Sequence, residues 1–96
     1  MPVRLLLEAE DDLDEAAAFL EQRVPGLGRA LVEEVERALA RLEENPHVGP
    51  HASRNVRKLR VKRFPYNLVY RILPEEVLVI AVAHHRRRPS YWRGRG

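Results

Sequence analysis

At 96 residues with no cysteine, the chain has room for one modest core and excludes disulfides and thiolate metal sites. Its longest apolar run, Val77 to Ala83, falls far short of the roughly 20 residues a membrane helix needs, and Met1-Pro2-Val3 opens without a basic n-region or long apolar stretch, so a cytoplasmic protein without membrane contact is expected. The net charge of +3 conceals a split: residues 1–48 hold 5 Arg against 12 Asp and Glu, net −7, and residues 49–96 hold 12 Lys and Arg against 2 Glu, net +10. Such a split suits a polyanion-facing surface, a partner of complementary charge, or charge placed for solubility.

Val3 to Glu8 alternates, with Val3, Leu5 and Leu7 on one side and Arg4, Leu6 and Glu8 on the other, which predicts a short strand. Asp11 and Asp12 then offer N-cap chemistry and favourable charge for a helix start. Leu13, Ala16, Ala17, Leu20 and Val24 follow as one helical face, which Pro25-Gly26 ends. A second helical stripe, Leu31, Val35, Ala38, Leu39 and Leu42, runs within Leu27 to Glu44 and stops at Asn45-Pro46, because the residue before proline disfavours the α region. The two form an αα-hairpin.

His47 to Asn55, with two prolines and a glycine and no apolar period, reads as a loop. From Val56 to Phe64 the chain alternates again, Leu59 and Val61 against Lys58, Arg60 and Lys62. Tyr66 to Leu73 is rich in strand formers, and Val77 to Ala83 is the unbroken aliphatic run of a central strand. The short connections imply an antiparallel meander. The expected fold is α+β, in the order β-α-α-β-β-β. It has the helical hairpin packed on one face of a mainly antiparallel sheet, and Lys58, Arg60 and Lys62 on the other face. The whole chain, 1–96, forms a single domain with a basic tail over 84–96.

Two groups of residues could carry chemistry. Lys58, Arg60 and Lys62, with Arg71 on the next strand, form a cationic surface able to neutralise phosphates. The same cations would equally serve as a solvated face or receive an acidic peptide. In the tail, the imidazole of His85 and the phenol of Tyr91 are acid–base candidates, and Arg86, Arg87 and Arg88 could contact a nucleic acid or another target. RNA cleavage by such groups requires no metal or cofactor, because the substrate 2′-hydroxyl is the nucleophile. Alternatively the tail is a disordered basic extension with Tyr91 and Trp92 folded back onto the sheet edge, Trp92 as a packing anchor. His47 and His51 are four apart but in a Pro/Gly loop, so no helical metal pair arises. Gly26 and Gly28 match no phosphate-loop pattern, and Ser53 and Ser90 have no nucleophile-elbow context.

The chain carries Pro25-Gly26, Asn45-Pro46, Val56-Arg57-Lys58-Leu59, then Phe64-Pro65-Tyr66-Asn67-Leu68-Val69-Tyr70-Arg71. An aliphatic strand follows, ending in Val82-Ala83-His84-His85-Arg86-Arg87, with Pro89-Ser90-Tyr91-Trp92 behind it. Taken in order, these motifs resemble the RelE/ParE toxin superfamily over nearly the whole chain. The Phe-Pro-Tyr segment and the tail look most like its ParE-type, plasmid-stabilisation branch. The resemblance implies the toxin of a type II toxin–antitoxin system, held in a hetero-oligomeric complex by a cognate antitoxin that masks its basic surface. ParE-like members inhibit growth by poisoning DNA gyrase and are not enzymes in themselves. RelE-like members are ribosome-dependent endoribonucleases that cut messenger RNA. On the RelE pattern, Lys58 and Arg60 match basic positions that contact RNA, His85 a basic or histidine position, and Tyr91 a terminal tyrosine. The arginine expected after the first tyrosine of Tyr66-x-x-x-Tyr70 is Asn67 here, with Arg71 on the same side of the strand. Gyrase binding is therefore the leading expectation, and metal-independent mRNA cleavage by His85, Tyr91 and Arg71 the alternative.

Overall fold

The computed structural model describes residues 1–88 and 91–96, so the Pro89-Ser90 part of the tail motif lies outside the described residues. The elements are β1 (Val3–Leu5), α1 (Leu7–Arg23), α2 (Leu27–Glu44), β2 (His51–Ser53), β3 (Val56–Arg60), β4 (Tyr66–Ile72) and β5 (Val77–His84). They form a five-stranded sheet in the order β1-β5-β4-β3-β2. β1 runs parallel to β5, and the remaining pairs are antiparallel.

The first strand is shorter and the first helix earlier than the alternation predicts. Leu6, not Asp11 or Asp12, is the N-cap residue, and it makes no side-chain cap. Its backbone N–H continues the parallel ladder by donating to the Val79 carbonyl at 3.0 Å. Helix α1 starts at once because Ala9, Leu13, Ala16 and Leu20 form one apolar face, of which Ala9 is fully buried. Glu8 and Glu10 then supply the acidic first turn that suits the positive end of the helix dipole. A second departure is β2, three exposed residues within the expected loop, paired with β3 through an irregular register.

Gly26, at φ 87°, makes the turn between the helices. The Glu21 carboxylate accepts hydrogen bonds from the backbone N–H groups of Gly26 at 2.8 Å and Gly28 at 3.0 Å, satisfying donors that a helix start leaves open. At Gly28 a side chain would not fit, since a Cβ would stand 2.4 Å from the carbonyl oxygen of Ala17.

The sheet is apolar on both faces. Leu31, Val35, Ala38 and Leu42 of α2 pack with Ala9 and Ala16 of α1 over Leu59, Leu68, Tyr70, Val77 and Val79. On the far face, Val69, Leu78, Ile80, Ala81 and Ala83 are covered by Trp92, which is only 6% exposed. Ile80 is the extra residue of a bulge, for Val69 pairs with Ala81 and Tyr70 with Val79. The far face is therefore not the open cationic surface expected from Lys58, Arg60 and Lys62. The tail closes its centre, as the packing-anchor reading of Trp92 requires.

Candidate functional site

The tail is held by a cluster at the unpaired edge of β5. β1 ends at Leu5, so β5 beyond Val79 has no neighbouring strand on that side. Side chains take the place of one. Asp12 Oδ2 accepts the Val82 N–H at 3.1 Å, Arg95 Nη1 donates to the Ile80 carbonyl at 3.0 Å, and the Tyr91 hydroxyl donates toward the Val82 carbonyl at 3.3 Å. Arg95 Nη1 also pairs with Asp12 Oδ2 at 2.7 Å, both side chains being largely shielded from solvent. Exposed strand edges need such partners or water.

Tyr91 is central to this cluster. Its ring lies against the Arg87 and Arg95 guanidinium groups, at 4.2 and 4.9 Å from its centroid, and its single hydroxyl proton is shared between the Val82 carbonyl and Asp12 Oδ2, each 3.3 Å from the oxygen. Burial, followed by the negative charge of Asp12, pushes the phenol up to about 12. Both effects disfavour the phenolate.

Beside the cluster, at the start of β4 and the end of β5, lies a cleft of about 330 Å³ bordered by Asp12, Glu15, Phe19, Tyr66, His84 and Arg87 along with Tyr91. Phe19 is half exposed. Tyr66 meets His84 edge-on at 5.3 Å between ring centroids, and His84 stacks on His85 at 4.7 Å. Partial burial, and then the positive groups His85 and Arg86, hold His84 below the usual histidine range, while burial raises Tyr66. His85 anchors to the chain through Pro65, whose carbonyl accepts its backbone N–H at 2.8 Å and lies 3.2 Å from its Nδ1.

The residues singled out in the sequence are dispersed. Tyr91 and Arg87 border the cleft, and His85 stacks at its rim. Arg86 and Arg88 are exposed in the segment following β5. Arg71 lies five residues along β4 from Tyr66, roughly 17 Å away at ordinary strand rise, and its Nη1 donates to the Gly96 main-chain oxygen. It shares its face of β4 with Asn67, which pairs with Arg60. Lys58 stands over Trp92, its Nζ 5.7 Å from the ring centroid. β3 ends at Arg60, and Lys62 falls in the following turn. Together Arg60 and Lys62 border a hollow of only about 40 Å³ against Glu34, Arg37, Ala38 and Arg41 of α2. Asp12, Tyr66 and Arg95 were not singled out as site residues in the sequence. Asp12 offered only N-cap chemistry, and its partners lie 70 to 83 residues away. Among the described residues no group of three or more His, Cys, Asp or Glu side chains could hold a metal ion, and no helix is long and apolar enough to cross a membrane.

Residues 3–89 match the model of the family described as ParE toxin of type II toxin-antitoxin system, parDE. No curated protein matches the chain. Among solved structures, the fold is similar to a chain titled chromosomal ParDE TA system from P. aeruginosa, with a TM-score of 0.78 and 19% sequence identity over 88% of this chain and 95% of that one.

Proposed function

Because the chain belongs to the family of ParE toxins of type II toxin–antitoxin systems, we propose that it arrests growth by binding an essential macromolecular target, DNA gyrase, and that a cognate antitoxin neutralises it in the cytoplasm. The observation that carries this reading is the separation of the groups RNA cleavage would need. Arg71 lies at the opposite end of β4 from the Tyr66–His84 cleft and is engaged with Gly96, while the Tyr91 hydroxyl is committed to Asp12 and Val82. A general acid or base must reach the reacting atoms and titrate near the working pH, and a phenol at about 12 is poorly placed to do so.

The lining of the cleft supports the same reading. Asp12 and Glu15 would repel an RNA backbone, whereas half-exposed Phe19, Tyr66 and mixed charges suit a protein surface, where aromatic side chains and Arg carry most contact energy. The cations Lys58, Arg86, Arg87 and Arg88 would steer an acidic partner.

The test is to express the chain alone in bacterial cells and pulse-label DNA and protein separately over the first minutes. An early block of DNA synthesis with translation intact is expected, together with loss of supercoiling by purified gyrase. An immediate fall in protein synthesis, abolished by His85→Ala, would replace this reading with ribosome-dependent mRNA cleavage.

A further inference from the structure

The opposite end of the sheet holds a second hollow, of about 240 Å³, where the turn between β2 and β3 meets the end of β4. Three arginines, Arg54, Arg57 and Arg71, and two histidines, His47 and His51, border it, and no carboxylate does. Like charges gathered at one concave site repel one another unless an anion joins them. Among the described residues no acidic side chain pairs with any of the three arginines.

The hollow has a fixed floor. Arg57 Nη1 donates to the Gly49 carbonyl at 2.8 Å and the His47 carbonyl at 3.3 Å, and its Nη2 lies 3.0 Å from His51 Nε2. A guanidinium can only donate, so His51 Nε2 accepts in this contact. The loop beneath is held by Tyr70, whose hydroxyl donates to the Pro46 carbonyl at 2.7 Å and accepts the Gly49 N–H at 3.0 Å. A Cβ at Gly49 would stand 2.6 Å from the Lys58 carbonyl oxygen, so the loop packs directly on β3. Arg57 is thus oriented before any ligand arrives. Arg54, at the exposed turn, and Arg71, at the end of β4 with its Nη1 on the Gly96 main-chain oxygen, add two more guanidinium groups.

We propose that this hollow is a binding site for a phosphate group, either inorganic phosphate or a terminal phosphate monoester. Guanidinium forks match pairs of oxyanion oxygens and form charge-assisted hydrogen bonds with them. Several cations around one hollow favour a compact dianion over a singly charged diester. No Phe, Tyr or Trp ring borders the hollow, and its guanidinium groups are suited to the phosphate itself. The site is independent of the cleft proposed to meet the toxin's target.

The experiment is an NMR titration of the full chain, following the arginine Nε–H and histidine ring signals. Sodium phosphate is compared with sodium chloride at equal ionic strength. Saturable shifts at Arg54, Arg57 and His51 with phosphate alone are expected. Arg54→Gln and Arg71→Gln should each weaken phosphate binding about tenfold, while Arg29→Gln, which removes an exposed charge on α2, leaves it unchanged. Identical responses to the two salts, or equal weakening by Arg29→Gln, would reduce the hollow to diffuse screening and overturn the proposal. A 5′-phosphorylated oligonucleotide and its 5′-hydroxyl twin distinguish the sources. Preference for the phosphorylated strand, lost with Arg54→Gln, assigns the site to a nucleic-acid end. Binding of inorganic phosphate without that preference assigns it to free phosphate.

Discussion

Asp12 lies in the second turn of α1, yet its carboxylate serves β5 and the tail rather than its own helix. It accepts from the Val82 N–H and from Arg95 and lies within reach of the Tyr91 hydroxyl. Replacing it with alanine would leave a partly buried N–H and a largely shielded guanidinium without partners. Removing one member of such a cluster exposes the desolvation cost of the other. Asp12→Ala is therefore expected to destabilise the protein by about 2–3 kcal/mol, read as a lower urea midpoint, with Asp12→Asn milder because it keeps an acceptor. None of these partners was visible in the sequence, where Asp11 and Asp12 show only the local chemistry of a helix cap. The cluster depends on contacts that become neighbours only after the sheet forms. Tyr91 was legible as a polar aromatic in a basic tail, but its engaged hydroxyl was not.

Among the elements, those with a strong internal period were read closely. α2 keeps the predicted span Leu27 to Glu44, and β5 is buried on both faces as its aliphatic run announces, although it lies beside the edge strand β1 and β4 takes the centre of the sheet. The misplacements fall where period is short, and at β3, where the pairing ends at Arg60 although the alternation runs on to Phe64. β1 has three residues, too few for alternation to separate it from the helix turn that follows, and β2 has three exposed residues whose identity as a strand rests on pairing with β3. The helix junction is determined by a close approach, not a period. Gly28→Ala should improve local helix propensity by up to about 1 kcal/mol. The clash of its Cβ with the Ala17 carbonyl should outweigh this, for a net loss of about 1–3 kcal/mol. Thermal unfolding monitored by circular dichroism would show the sign, and a rise in melting temperature would refute the close approach.

For the whole molecule, the charge split along the sequence becomes a split between layers. The helices carry all 12 acidic residues of the first half, and the β2–β5 hairpins and tail carry 12 of the 17 Lys and Arg. A field with two signs steers unlike surfaces to opposite sides of the toxin. The layering itself, helices over a sheet, was legible from the two helical stripes and the alternating strands. The second cover, the tail over the far face, was legible only as the alternative in which Trp92 folds back as a packing anchor, because one Trp in a run of cations carries no periodic signal. Trp92→Ala should cost about 3 kcal/mol, since it uncovers Val69, Leu78 and Ile80. Trp92 is the sole tryptophan, so its emission reports directly on the tail. Blue-shifted fluorescence in the native protein is expected, and emission typical of a water-exposed indole would show that the tail is not packed.

The side chains along the outer edge of β5 have a consequence for behaviour at high concentration. Bare strand edges are templates on which identical chains stack into fibres. Here the Ile80 carbonyl and both backbone groups of Val82 are already engaged by Arg95, Asp12 and Tyr91. A second molecule seeking to extend the sheet there finds these groups taken, so the arrangement that fastens the tail also protects this edge of the sheet against edge-to-edge aggregation.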